Sequence, residues 1–169
     1  MTVDQYLNLF LTATDFKPRM RHVQDSRLQG PDPVDIYFAK YQGILTGFSA
    51  WMSSPTATIW RIVDIRTVFP TAWQASGWHA EAVDYNSEST QPVAKAPAVG
   101  QECRVFGGLG PDVLRLGVRL NAFVYLFRVG RVVVKLFAAQ GTDATTRLTP
   151  AHVADVALRV VARIEGQIA

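Results

Sequence analysis

The stretch from residue 102 to residue 138 constrains the fold more than any other part of the chain. Four short runs, 102–106, 113–118, 122–128 and 131–138, are rich in β-branched and aromatic residues. Gly107–Gly108, Gly110–Pro111 and Asn121 break them up, and Val129–Gly130 separates the last two. Side chains of the first kind fit a pleated surface, and residues of the second kind supply turns. The spacing predicts four antiparallel strands with a tight hairpin at Val129–Gly130. An apolar sheet face must be covered. Thr149–Pro150 opens a segment in which Val153, Val156, Ala157, Val160, Val161 and Ile164 recur at helical spacing, with His152, Asp155, Arg159 and Arg163 opposite. This segment is expected to be a helix lying on the sheet, dry on one side and wet on the other.

The upstream half supplies further elements. Thr2 with Gln5 fits a capping box, and Val3, Tyr6, Leu7 and Phe10 continue as a helical stripe over 2–13. Residues 22–29 suit an edge strand. Asp32–Pro33 opens a second helix with the stripe Val34, Tyr37, Phe38, Tyr41 and Leu45, and Gly43 and Gly47 stand near its end. Residues 48–53 and 58–69 read as strands joined around Pro55. In the second, Asp64 and Arg66 fall on one face, which is therefore expected to be partly wet. Residues 72–83 read as a helix, and 86–100 as a long loop. The expectation is one α+β domain over 1–169. It has an antiparallel sheet of about six strands flanked by three to four helices, and an N-terminal helix and arm over 1–30.

Apolar residues make up 49% of the chain and charged residues 18%. That exceeds the apolar share of an ordinary domain and asks for a large core or an apolar pocket. The net charge of +3 comes from scattered basic residues without a basic stripe, so nucleic acid is not the expected partner. The chain lacks an apolar run of about 20 residues, so no transmembrane segment is expected. The start, with Asp4 and no basic region, does not read as a secretory signal. The chain is therefore intracellular or lacks its leader. Cys103 is the sole cysteine, which excludes an internal disulfide, and its strand context suits an inert buried thiol.

Motifs that carry chemistry are scarce. His22, His79 and His152 are far apart in sequence. On a helix, His79 and Glu81 point about 200° apart, and Glu81 with Asp84 is too few oxygens for calcium. Serines 49, 53, 54 and 76 lack the glycine frame of a nucleophile elbow. Gly107–Gly108–Leu109–Gly110 is not followed by Lys-Ser or Lys-Thr, so it reads as a turn and not a phosphate loop. Asp64 and Arg66 read as an ordinary surface ion pair. The expectation is no catalytic residue, no metal and no cofactor. Aromatic richness remains: Trp51, Trp60, Trp73 and Trp78, with Tyr37 and Tyr41 just upstream, are the candidate lining of a concave apolar pocket.

The order TGFSAWM, TIWRIVDIRTVFPTAWQA and FVYLFRVGRVVVKLFAAQG, closed by a helix, resembles small extracytoplasmic domains of bacterial lipoproteins and sensors, several of them PsbP-like α/β/α sandwiches. The likeness spans residues 43–165 and lies in element order. It implies a binding or accessory domain located outside the cytoplasm, and it brings no site residues with it. The functional expectation is thus a non-enzymatic domain whose partner is an apolar small molecule or a protein surface. The alternatives are a structural subunit of a larger assembly, or a small hydrolase or isomerase using His79, His22 or Asp64 beside an apolar pocket. The sequence leaves the oligomeric state open.

Overall fold

The computed structural model describes residues 1–17, 19–29, 36–109 and 121–168. Its centre is a seven-stranded antiparallel sheet in the order β1-β2-β3-β7-β6-β5-β4. The strands are β1 (Arg21–Gln29), β2 (Leu45–Met52), β3 (Arg61–Val68), β4 (Gln91–Pro92), β5 (Gln101–Leu109), β6 (Asn121–Val129) and β7 (Val132–Ala139). The helices are α1 (Val3–Leu7), α2 (Ile36–Lys40), α3 (Ala72–Ser89) and α4 (Pro150–Ile168), with a 3₁₀ turn at Ala13–Asp15. The expected α+β class holds, with seven strands in place of about six. The strand expected at 113–118 lies outside the described residues.

Strand β7 sits at the middle of the sheet, and its side chains alternate between two cores. Val132, Val134, Leu136 and Ala138 join Tyr125 and Phe127 of β6 beneath Val153, Val156, Ala157, Val160 and Ile164 of α4. Val133 and Phe137 join Val124 and Leu126 beneath Ala75 of α3, with Trp78 and Val83 packed against them. A sheet dry on both faces accounts for the apolar excess. The β6–β7 hairpin turns at Gly130–Arg131, one residue later than expected, with Val129 opposite Val132. Gly130 supplies the positive φ of 58° that the turn requires.

Several boundaries differ from the sequence expectation, each for a local reason. The first helix stops at Leu7, not residue 13. Leu9, Phe10 and Leu11 are all buried, and three consecutive residues cannot share one helical face, so the helix gives way to a turn, with the Leu9 N–H on the Tyr6 carbonyl at 3.1 Å. The second helix ends at Lys40. Gln42 takes a positive φ of 55°, and the Gly43 N–H returns to the Phe38 carbonyl at 2.8 Å. A Cβ on Gly43 would lie 2.2 Å from the Phe38 ring. Leu45 therefore begins β2 and does not close the helical stripe. Strand β3 starts at Arg61, because residues 53–59 form a connecting loop.

Helix α3 runs on through Ser89, into what read as loop. Asn86 and Ser87 bond back to the carbonyls of Ala82 and Val83, and Thr90 bonds back to Asn86. These polar side chains satisfy the helix's own backbone. Beyond it, Gln91–Pro92 pairs with β5 as a short edge strand.

The face carrying Asp64 and Arg66 is not wet. Both side chains are 0% exposed. They point into the core under α4, where α1 and the segment that follows it lie across them.

Candidate functional site

One cleft of about 440 Å³ opens where three pieces of chain meet: residues 16–20, the β2–β3 loop, and the first turns of α4. Each piece has an identifiable anchor. The loop is closed by the Ser53 N–H on the Trp60 carbonyl at 2.7 Å. From outside, the Gly141 and Asp143 N–H groups donate to the carbonyls of Ala57 and Pro55. A Cβ at Gly141 would come within 2.0 Å of the Pro55 oxygen, so only glycine permits this approach.

Helix α4 begins with Thr149 ahead of Pro150. The Thr149 N–H donates to His152 Nδ1 at 3.1 Å, which satisfies a free backbone donor at the helix start. With Nδ1 accepting that proton, the neutral ring carries its own hydrogen on Nε2.

The third piece is held by Asp15. Arg163 reaches its carboxylate through Nη2 at 2.7 Å and Nε at 2.9 Å, and Arg159 donates to its backbone carbonyl. Burial opposes the charge of Asp15. The Thr12 N–H and the Arg163 guanidinium more than offset that cost and hold its carboxyl below the usual range.

The cleft floor is apolar: Phe16, Met20, Ile62 and Val156 are buried, and Ile59 is half-buried. Its rim carries Lys17, Ser53, Thr56, Thr58, His152, Asp155 and Arg159. An apolar floor beneath a polar rim suits a small molecule that carries both kinds of surface, and the volume lies in the usual range of such sites. Among the described residues, neither Ser53 nor Thr58 hydrogen-bonds to His152 or Asp155, and the hydroxyl paired with His152 Nδ1 is that of Thr149, at 3.0 Å, ahead of the helix.

Behind the floor lies the Asp64–Arg66 pair. Arg66 Nε and Nη2 meet the two carboxylate oxygens at 2.5 and 2.8 Å. The Leu11 N–H reaches Asp64 Oδ2 at 3.4 Å, the Tyr6 hydroxyl donates to the Arg66 carbonyl at 3.1 Å, and the guanidinium lies 5.6 Å from the Phe10 ring centre. Burial pushes the Tyr6 hydroxyl above its ordinary pKa, so it remains a donor. The pair thus fastens residues 6–11 to the sheet, and those residues lead into the cleft wall.

The structure does not gather the four tryptophans into one lining. Trp51 is buried on the α4 face, with its ring centre 5.1 Å from that of Phe16, so it stands directly behind the cleft floor. Trp78 packs on the opposite core, against Phe69. Trp73 projects from α3 and is 77% exposed. Trp60 is half-buried at the start of β3 and does not line the cleft. Tyr41 is half-buried, and its hydroxyl donates to Glu81 at 3.3 Å. The Tyr37 side chain lies outside the described residues.

None of the three groups named for a hydrolase lines the cleft. His79 is buried on the sheet-facing side of α3, with Nε2 on the Leu126 carbonyl. His22 sits edge-on to Trp51, and Asp64 is bound to Arg66. Glu81 pairs with Lys40 at 2.6 Å. Cys103 is half-buried, and burial raises its thiol pKa. Among the described residues no group of three or more His, Cys, Asp or Glu is placed to hold a metal, and no helix is long and apolar enough to cross a membrane.

Sequence reading missed His152, Asp155 and Arg159 as site residues, because they were assigned to a merely solvated helix face. Their spacing was a signal: i, i+3 and i+7 put them on one stripe, and only the docking of residues 16–20 and 53–59 turns that stripe into a wall.

No protein-family model and no curated protein matches the sequence. Among solved structures, the extracellular domain of PknH from Mycobacterium tuberculosis matches with a TM-score of 0.68, over 98% of this chain and 97% of that one. The sequence identity is 10%, so the likeness is one of fold.

Proposed function

We propose that this chain is a non-enzymatic ligand-sensing domain that works outside the cytoplasm and takes a small molecule with an apolar body into the cleft. The observation that carries this reading is the cleft itself: a buried floor of Phe16, Met20, Ile62 and Val156 beneath a polar rim, lined from three separate pieces of chain. A ligand there would touch all three at once and change how firmly they hold together. The fold likeness to an extracellular domain supports the location. It carries no ligand across.

The test is thermal unfolding of the full chain with a panel of amphiphilic metabolites and lipids, followed by far-ultraviolet dichroism, with native mass spectrometry alongside. A true ligand at 100 times its dissociation constant adds about 2.7 kcal/mol. Ala57→Trp, placed in the cleft wall, is expected to abolish that gain while leaving the unliganded fold intact. If no compound raises the midpoint and no adduct is seen, the small-molecule reading falls.

A further inference from the structure

The rim of the cleft carries opposite charges that do not neutralise each other. Asp155 and Arg159 are one helical turn apart on α4, a spacing at which such pairs commonly join. Here they do not. Arg159 spends one nitrogen on the Asp15 carbonyl, and Asp155 has no hydrogen bond or ion pair among the described residues. Lys17 lines the same cleft two residues beyond Asp15, whose carbonyl Arg159 holds, and so adds positive charge on the Arg159 side. From one end to the other the cleft therefore reads cation, then carboxylate, above a floor of methyl, thioether and ring surface.

We infer that the cleft takes a zwitterion with an apolar side chain, namely a free apolar amino acid or a short apolar peptide, its carboxylate at Arg159 and Lys17 and its ammonium at Asp155. This rests on reading the cleft as the ligand site and names the ligand's class. A simple anion leaves Asp155 facing like charge, and a simple cation leaves Arg159 and Lys17 facing like charge. A zwitterion pairs both, and its side chain displaces water from the floor. Free amino acid and peptide share this end-group chemistry and differ in length.

The experiment is calorimetric titration of the full chain with L-leucine, leucyl-leucine, isocaproate, which lacks the ammonium, and isoamylamine, which lacks the carboxylate. Leucine or leucyl-leucine is expected to bind at least about tenfold tighter than either single-headed analogue, since each adds a charge-assisted hydrogen bond. The tighter of the two identifies the source. Asp155→Asn should weaken the zwitterion until it binds no tighter than isocaproate, and should not weaken isocaproate. Lys17→Gln, which touches no anchor of the fold, should weaken the zwitterion and isocaproate but not isoamylamine.

Equal affinity for leucine and isocaproate, or for leucine and isoamylamine, overturns the zwitterion while the cleft stands as a ligand site. If none of the four binds, the zwitterion falls, and the wider panel decides separately whether the cleft is a site at all.

Discussion

Asp64 and Arg66 stand two residues apart on β3, share a face, and are both sealed from water. The sequence showed the pairing but not the burial, which comes from the chain laid over them. Taking two charges out of water is expensive, and Arg66 Nη1 finds no hydrogen-bond partner among the described residues, so the pair contributes little net stability. Its loss is another matter, because one partner alone is an uncompensated buried charge. Asp64→Ala should destabilise the protein by about 3–5 kcal/mol in urea unfolding, whereas Asp64→Leu with Arg66→Met should recover most of that loss.

His79 makes a second prediction at this scale. Burial on the sheet-facing side of α3 is the main cause of its lowered pKa, only partly countered by the Leu126 carbonyl and the nearby Glu102. The fold therefore prefers the neutral ring. Below the free-histidine pKa of about 6.5 the unfolded chain binds the proton more readily, so stability is lost as pH falls from 6.5 through the folded value. The carboxylates held low here, Asp15, Glu81 and Glu102, lose their contribution only further down, below about pH 4.5. Melting curves at pH 7 and pH 5 should show the wild type losing stability across that window. His79→Gln should flatten the difference.

At the scale of elements, the segment from α1 to the Ala13–Asp15 turn is a strap across the sheet. Its near end is held by Tyr6 and Leu11 on the β3 ion pair, and its far end by Asp15 on Arg159 and Arg163 of α4. Continuing into Phe16 and Met20, it forms one wall of the cleft. The Asp15–Arg163 pair is only partly exposed, with side-chain exposures of 17% and 28%. Asp15→Ala should cost about 1 kcal/mol overall. Amide exchange should show the loss concentrated in residues 8–17 and not in β6 or β7, because local openings draw on local contacts. Uniformly faster exchange across the sheet would show that the strap is not a separate unit. The expected helix over 2–13 was wrong here for an informative reason: its stripe was real at Tyr6 and Leu7, but Leu9, Phe10 and Leu11 answer to three different contacts on the sheet and α4.

At the scale of the whole molecule, the two apolar cores lie on opposite faces of one sheet and share β6 and β7, so neither can open without exposing the other's backing. Residues 1–169 are accordingly expected to unfold as one cooperative unit. Trp51 reports on one core and Trp78 on the other. In urea, a variant retaining only Trp51 and another retaining only Trp78 should each give a fluorescence midpoint that coincides with its own far-ultraviolet dichroism. Separated midpoints would mean two independently stable layers. The edges of the sheet are blunted: β1 carries two register shifts against β2, and β4 is two residues long and ends in Pro92. By itself the sequence determined the α+β class, the strands that became β6 and β7 and the face that α4 buries, because alternation and helical periodicity are local consequences of side-chain geometry. The tertiary structure alone decided where the tryptophans go, that Asp64 and Arg66 are dry, and that His152, Asp155 and Arg159 become the wall of a cleft. Each depends on which distant segment is laid against a given face, and that is set by the summed packing of the whole chain, which no local spacing encodes.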